Sequence, residues 1–262
     1  MRSLYYMTAL FLLLPSFAEA DFFWVALLAK DSGLKEQKLL ATTKLDNLTT
    51  PLKKAWKEGY AITDISHSPR RWSVVLSKGT AAKRQMYVHR RIMHEFQDVV
   101  NRYEKKGYAL SNVENGVGAW VAVFQKGGKI EGTKLVVVRD AKTLRDEIKR
   151  EQERGMKLID VEAAEGYWTA VFARKAPFKA QSYALAEDKE HLEKIIAKKW
   201  KEGYSLQSLE YGNNLWFALF CQRDKPRQET YVLSGKYGKY RRLIDKYWQK
   251  GYRITDLAEA RN

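Results

Sequence analysis

The chain repeats a short apolar pattern of strand length that starts near a tryptophan. Residues 21–30, DFFWVALLAK, show it first, and it recurs at 71–78, 119–126, 167–174 and 215–222. Because side chains alternate across a strand, Trp72, Val74 and Leu76 share one face. The opposite face is also mostly apolar, as at Val121 and Val123. Apolar residues on both faces predict strands that are covered on both sides.

A third short segment and then a helix follow each of these strands. Apolar residues four positions apart lie on one helical face and predict its buried stripe. The two columns of this stripe are Leu48, Phe96, Leu144, Leu192 and Tyr240, and Leu52, Val100, Ile148, Ile196 and Ile244. A glycine then ends each helix, since it takes up the left-handed conformation without a side-chain penalty. The next strand is predicted to begin just after this glycine.

The pattern has a fixed period of 48 residues. Two columns with this spacing define it: Gly59, Gly107, Gly155, Gly203 and Gly251, and Trp24, Trp72, Trp120, Trp168 and Trp216. Self-similarity at such a period is typical of modular arrays. We therefore predict a single domain at residues 21–262, made of five repeats at about 21–68, 69–116, 117–164, 165–212 and 213–262.

The order of segments predicts how the repeats assemble. The predicted domain begins at a Trp strand and ends just after the strand that should precede one. We expect the last strand, at about 252–257, to pair with residues 22–28, because unpaired strand edges are normally protected. The predicted fold is an α+β repeat, a closed five-fold toroid (propeller-like) of β-β-β-α units. The C-terminal strand would complete the N-terminal unit, with the tryptophans in the core. An open five-unit solenoid is the alternative.

The N-terminal residues and the composition indicate the compartment. Residues 1–20 combine Arg2, an apolar run at 9–14 and the small-x-small pattern Ala18-Glu19-Ala20, which is typical of a secretory signal peptide. We therefore predict a secreted or periplasmic protein with no transmembrane segment after cleavage; a retained anchor is the alternative. Cys221 is the single cysteine, so no intrachain disulfide is expected. We expect a monomer.

Patterns typical of catalysis or metal binding are lacking in the sequence. The four histidines do not have ligand spacing, so we predict neither a metal site nor a cofactor. Cys221 lies in an apolar strand and is predicted to be a core residue. One polar column recurs at Asp64, Asn112, Asp160, Ser208 and Asp256. Its position predicts turn capping, with a cation or sugar site as the alternative.

One column of cations is a candidate for binding. Basic side chains end four Trp strands, and Arg223 lies beside the equivalent position of the fifth; the column is Lys30, Lys78, Lys126, Arg174 and Arg223. If the strand ends converge, five-fold closure would gather these cations into a ring that holds an anionic group. The alternative is that each cation pairs locally with a carboxylate or a helix end.

The repeat also resembles a known sequence family. The pattern W-x-x-G-Y-x-I-T at residues 56–63, followed by W-x-V-V-L-S-K at 72–78, is similar to uncharacterised repeats that follow the kinase domain in plant casein-kinase-I-like proteins. The chain contains no kinase motifs, and Met156 replaces the tyrosine of the pattern in one repeat. The resemblance implies a shared fold and carries over no catalytic residue.

These observations favour a binding protein over an enzyme. The net charge is +16, with 47 Lys and Arg against 31 Asp and Glu. A basic folded surface favours an anionic macromolecule such as an acidic glycan, an anionic lipid head group or nucleic acid. We therefore expect a non-enzymatic binding or interaction module. The alternatives are a lectin-like glycan binder and a small hydrolase with its site in the axial mouth.

Overall fold

A computed structural model describes residues 22–68 and 71–260. The predicted signal peptide, residues 1–20, lies outside them. The described residues contain fifteen strands: β1 Phe23–Ala29, β2 Gln37–Thr42, β3 Ala61–Ser68, β4 Arg71–Ser77, β5 Arg84–Arg90, β6 Ala109–Gly116, β7 Ala119–Lys126, β8 Glu131–Val138, β9 Lys157–Ala164, β10 Tyr167–Lys175, β11 Gln181–Ala186, β12 Ser205–Gly212, β13 Leu215–Cys221, β14 Glu229–Ser234 and β15 Arg253–Ala260. They also contain five α-helices: α1 Thr49–Lys57, α2 Met93–Lys105, α3 Ala141–Glu153, α4 Lys189–Lys201 and α5 Tyr237–Gln249. A 3-10 turn, Leu45–Leu48, precedes α1.

The strands form five three-stranded antiparallel sheets. Their orders are β2-β4-β3, β5-β7-β6, β8-β10-β9, β11-β13-β12 and β14-β1-β15, so a Trp strand is central in every sheet. Each sheet takes its edge strands from one 48-residue repeat and its central strand from the next. In the fifth sheet, the central strand β1 comes from the first repeat. It pairs with both β14 and β15, with Phe23 opposite Ala260 and Trp24 opposite Ser234.

The helices form where the periodicity predicts them. Every residue of the two predicted columns is buried. Gly59 follows α1 at a φ of +80°, and the N–H of Tyr60 donates to the carbonyl of Ala55 at 2.9 Å, which closes the helix end. The helix-ending glycines of the other four repeats also have positive φ. The prediction of a glycine stop after each helix is confirmed.

The core consists of five apolar clusters rather than one. Each contains the helix and the Trp face of one sheet together with the reverse face of the next sheet. In one of them, Leu52 and Trp72 pack with Val121 and Val123 of β7. The cluster of the fifth sheet includes Val75 of β4 and Leu39 of β2. Both faces of the Trp strands are therefore covered, as predicted, and the tryptophans are divided among the clusters.

The second edge strands of the five sheets contact one another in order. Contacts join β3 to β6, β6 to β9, β9 to β12 and β12 to β15, and β15 also contacts β3. We call these five strands the inner strands. Within the described residues the five sheets remain separate, and none closes into a barrel. None of the described helices has the length and apolar character needed to cross a membrane.

Candidate functional site

Each inner strand carries a β-bulge at the same place. The register with the central strand shifts between Ile62 and Asp64, which leaves Thr63 without an opposite residue. The shift recurs in the other four inner strands, and the bulged residues are Thr63, Ser111, Ile159, Gln207 and Thr255. All five line one cavity. The bulges therefore turn the same position of every repeat towards a shared space.

This shared cavity has a volume of about 990 Å³. Its walls are the bulge regions of the inner strands and the segments that follow the Trp strands, at residues 31–34, 79–82, 128–130, 177–178 and 223–227. Every sheet contributes to it. The lining combines polar and apolar groups, and its charged residues include Asp64, Asp160, Asp256, Arg223 and Arg227.

A polar side chain from the neighbouring sheet binds the backbone at each bulge. The amide of Gln85 accepts from the N–H of Ile62 at 2.6 Å and donates to its carbonyl at 2.7 Å. Gln37 makes the same pair of bonds with Ile254, at 2.7 and 2.8 Å, and Gln181 makes it with Leu158. The full column, spaced by 48 residues, is Gln37, Gln85, Thr133, Gln181 and Glu229. The binding of the bulge backbone by this column was not predicted, although its 48-residue spacing is visible in the sequence.

The polar column at Asp64, Asn112, Asp160, Ser208 and Asp256 links inner strands, so the prediction of turn capping is wrong. The Oδ2 atom of Asp160 accepts from the N–H of Val113 at 2.7 Å, and that of Asp256 accepts from the N–H of Leu209 at 2.9 Å. Asp64 accepts in the same way from the N–H of Leu257. The residues lie within strands, beside the bulges, and not in turns.

Burial dominates the electrostatics of these carboxyl groups. Desolvation raises the pKa of Asp160 to about 7, although hydrogen bonds from the backbone N–H groups of Val113 and Val161 lower it. Desolvation also raises the pKa values of Asp64 and Asp256. Two residues further along each strand, Glu114 and Glu162 are buried and Glu210 is half-buried, and desolvation again raises their pKa values. The centre of the inner strands is therefore rich in carboxyl groups that resist ionisation.

The five predicted cations are not gathered into one ring. Lys78 pairs with Glu36 at 3.0 Å, and its Nζ lies 4.9 Å from the ring centroid of Tyr60. Lys30 and Lys126 likewise lie over the tyrosines that follow the helix-ending glycines of their own sheets, Tyr252 and Tyr108.

Met156 takes the place of that tyrosine in the sheet of Arg174. There Arg174 lines a separate groove of about 340 Å³ with Lys134 and Arg154. Of the five predicted cations, only Arg223 lines the shared cavity. An anion-binding role for the column stays a prediction.

Arg223 meets a second arginine in the cavity. One Nη atom of Arg223 donates to the side-chain oxygen of Gln207, and the other lies 3.5 Å from the carbonyl of Pro177. Arg227 donates to the carbonyl of Ser32 at 3.3 Å. Burial, and then the charge of Arg223, lower the pKa of Arg227. Arg227 was not among the predicted cations, because it does not lie at the end of a Trp strand as those residues do.

The remaining candidate groups do not form a reactive site. Cys221 is buried, as predicted, and burial raises the pKa of its thiol to about 11, so the nucleophilic thiolate is scarce at neutral pH. Among the described residues, no group of three or more His, Cys, Asp or Glu side chains is arranged to hold a metal ion.

Comparison with known proteins identifies a family without an assigned activity. The model of a domain of unknown function, DUF7477, matches residues 82–262, which is more than half of the chain. The chain belongs to this family. The DUF7477 match starts just before β5 and runs through the helices α2 to α5 and the inner strands β6 to β15. No curated protein matches the chain.

Proposed function

We propose that this DUF7477 protein is a non-enzymatic binding module whose ligand enters the shared cavity. The observation that carries the proposal is the cavity itself, since all five sheets contribute to about 990 Å³ of space lined by both polar and apolar groups. Ligand sites are typically concave and of this order of size, at ~300–1,000 Å³. Since the predicted signal peptide would direct export, we propose that the module is secreted or periplasmic.

We also propose that the five units form a closed toroid. The bonds between inner strands support this arrangement. Asp160 and Asp256 each bind a backbone N–H of the preceding inner strand, and Asp64 of the first repeat binds Leu257 of the last in the same way. Gln37 likewise binds Ile254 as Gln85 binds Ile62. The plant kinase repeats would share this fold, since W-x-x-G-Y-x-I-T supplies the helix end and the inner strand, and W-x-V-V-L-S-K supplies the central strand with its core tryptophan.

The net charge of +16 favours an anionic partner. A glycan array with acidic and neutral members tests this, using the protein that lacks residues 1–20. Thr255 lines the cavity at a bulge, so Thr255→Trp should obstruct it. Ile92 is 49% exposed and does not line the cavity, so Ile92→Trp adds the same side chain elsewhere as a control.

We expect binding to acidic glycans that Thr255→Trp abolishes and Ile92→Trp preserves. Selective binding of neutral glycans would instead indicate a lectin-like protein. Binding that survives Thr255→Trp would locate the ligand outside the cavity and contradict the proposal.

One observation favours a second candidate function, a small hydrolase. Asp160 lines the cavity and has a pKa raised to about 7, which suits a general acid at neutral pH. Its Oδ2 atom is engaged with Val113, which suits a structural role equally. Hydrolysis of a bound glycan that Asp160→Asn abolishes, without loss of binding, would favour the enzyme. Unchanged glycan after prolonged incubation would favour the binding module.

A further inference from the structure

We propose that Arg223 and Arg227 form an anion subsite within the shared cavity, which holds one carboxylate or phosphate group of the ligand. This deepens the proposed function and rests on it. The subsite would be local, in the segment that joins β13 of the fourth sheet to β14 of the fifth sheet. It would therefore bind one anionic group on a small molecule or at the end of a larger one, and not the many charges along a polyanion.

The hydrogen bonding of the two arginines leaves capacity for a ligand. Arg223 uses its Nη atoms on Gln207 and Pro177, while its Nε atom is buried with no partner among the described residues. Arg227 makes one bond, to the carbonyl of Ser32. A guanidinium carries five N–H donors in a planar fork that matches carboxylate and phosphate oxygens. A buried donor without a partner is costly, and an oxyanion would satisfy it.

The charges around the pair are not neutralised by close contacts. In the described part of the chain, the ion pairs within 4 Å all involve other cations. Asp224 pairs with Lys179 at 2.8 Å. Glu229 accepts from the indole of Trp200 and from the N–H of Leu206. Glu229 attracts both arginines and Asp31 attracts Arg227, in each case from beyond ion-pair distance.

The site breaks the symmetry of the repeats. The positions equivalent to Arg223 hold Asp31, Gly79, Gly127 and Lys175, and those equivalent to Arg227 hold Lys35, Lys83, Glu131 and Lys179. Two arginines therefore occupy these positions in the fifth repeat alone, and the two lysines of the fourth repeat are paired with Glu131 and Asp224. Like charges held near each other in a partly buried place repel, and they persist where a bound anion offsets the repulsion. A ligand that binds one side of the cavity would need a binding site in only one of the repeats, as this pair of arginines provides.

The test measures binding of two probes, inorganic phosphate and glucuronate, by titration calorimetry at low salt. The variants are Arg223→Gln and Arg227→Gln, and Arg102→Gln is the matched control because Arg102 is exposed on α2 and does not line the shared cavity. We expect at least one probe to bind the wild type, and each cavity variant to weaken it by about tenfold or more, since hydrogen bonds to charged groups are strong. The control should bind as the wild type does. The preferred probe distinguishes a phosphate ligand from a carboxylate ligand.

A second measurement separates binding from folding. Without a ligand, Arg227→Gln should melt at the same temperature as the wild type or higher, because it removes repulsion with Arg223. Added probe should raise the melting temperature of the wild type and not that of the variant. Failure of both probes to bind the wild type at millimolar concentration, or equal loss in Arg102→Gln, would overturn the subsite. Glycan binding blocked by Thr255→Trp but unaffected by either glutamine variant would overturn the subsite and leave the proposed function standing.

Discussion

Replacing Gln37 with alanine tests whether the first and last sheets are joined in solution. Its amide binds the N–H and the carbonyl of Ile254 at 2.7 and 2.8 Å, and it also contacts Trp248 and Ser77 at 3.0 and 2.9 Å. Ile254 is fully buried, so its backbone groups would lose their partners. An unsatisfied buried group costs about 1–3 kcal/mol, and Gln37 is itself only half-buried, so we expect a total of about 2–4 kcal/mol.

The assay is urea unfolding followed by tryptophan fluorescence, with two matched variants. Gln85→Ala removes the same pair of bonds between sheets that are adjacent along the chain, to Ile62. Gln152→Ala removes an exposed glutamine on α3. We expect Gln37→Ala and Gln85→Ala to lower the free energy of unfolding by similar amounts and the Tm by roughly 5–15 °C. Gln152→Ala should stay within about 0.5 kcal/mol of the wild type.

The comparison between Gln37→Ala and Gln85→Ala decides the outcome. If Gln85→Ala is destabilised and Gln37→Ala unfolds like the wild type, the contact between β2 and β15 is dispensable. The closed toroid would then be wrong, and the open solenoid would be favoured.

Two further predictions concern the core and the inner strands. Trp120 is fully buried and donates to Glu165, so Trp120→Ala should cost about 3–5 kcal/mol in urea unfolding, and the half-buried Trp24→Ala should cost less; equal losses would contradict the packing described. Because burial raises the pKa of Asp160 from 3.8 to about 7, the folded state binds more protons, and stability should fall as the pH rises from about 4 to 7. Unfolding midpoints measured at pH 5 and pH 8 check this, and Asp160→Asn should flatten the difference; a protein more stable at pH 8 would refute the assignment.

The repeated elements could be predicted because their signals are local. The apolar columns of the helices and the glycines at their ends depend on side-chain spacing and backbone conformation within a few residues. Pairing between sheets depends on contacts between distant residues. Consequently the spacing of residues did not predict that the edge strands of one repeat flank the Trp strand of the next. It also did not predict that β1 has both β14 and β15 as partners.

The candidate site was harder to predict because a bulge changes the alternation of side chains. Thr63 is an extra residue in β3, so the face on which Asp64 lies cannot be deduced from a simple two-residue period. The five predicted cations do not meet in one ring for another reason. Lys78 and Lys126 are drawn to the tyrosines beside their own helix ends, and the sequence period alone does not indicate that contact.

The pairing of β1 has a consequence for synthesis of the chain. Val25, Ala26, Leu27 and Leu28 are all buried, and the strands on either side of them lie at residues 229–234 and 253–260. On the ribosome this apolar segment emerges about 200 residues before its partner strands and must wait for them to be synthesised. During that interval it is exposed to aggregation, and a chaperone that holds the nascent N-terminal region should raise the yield of native protein.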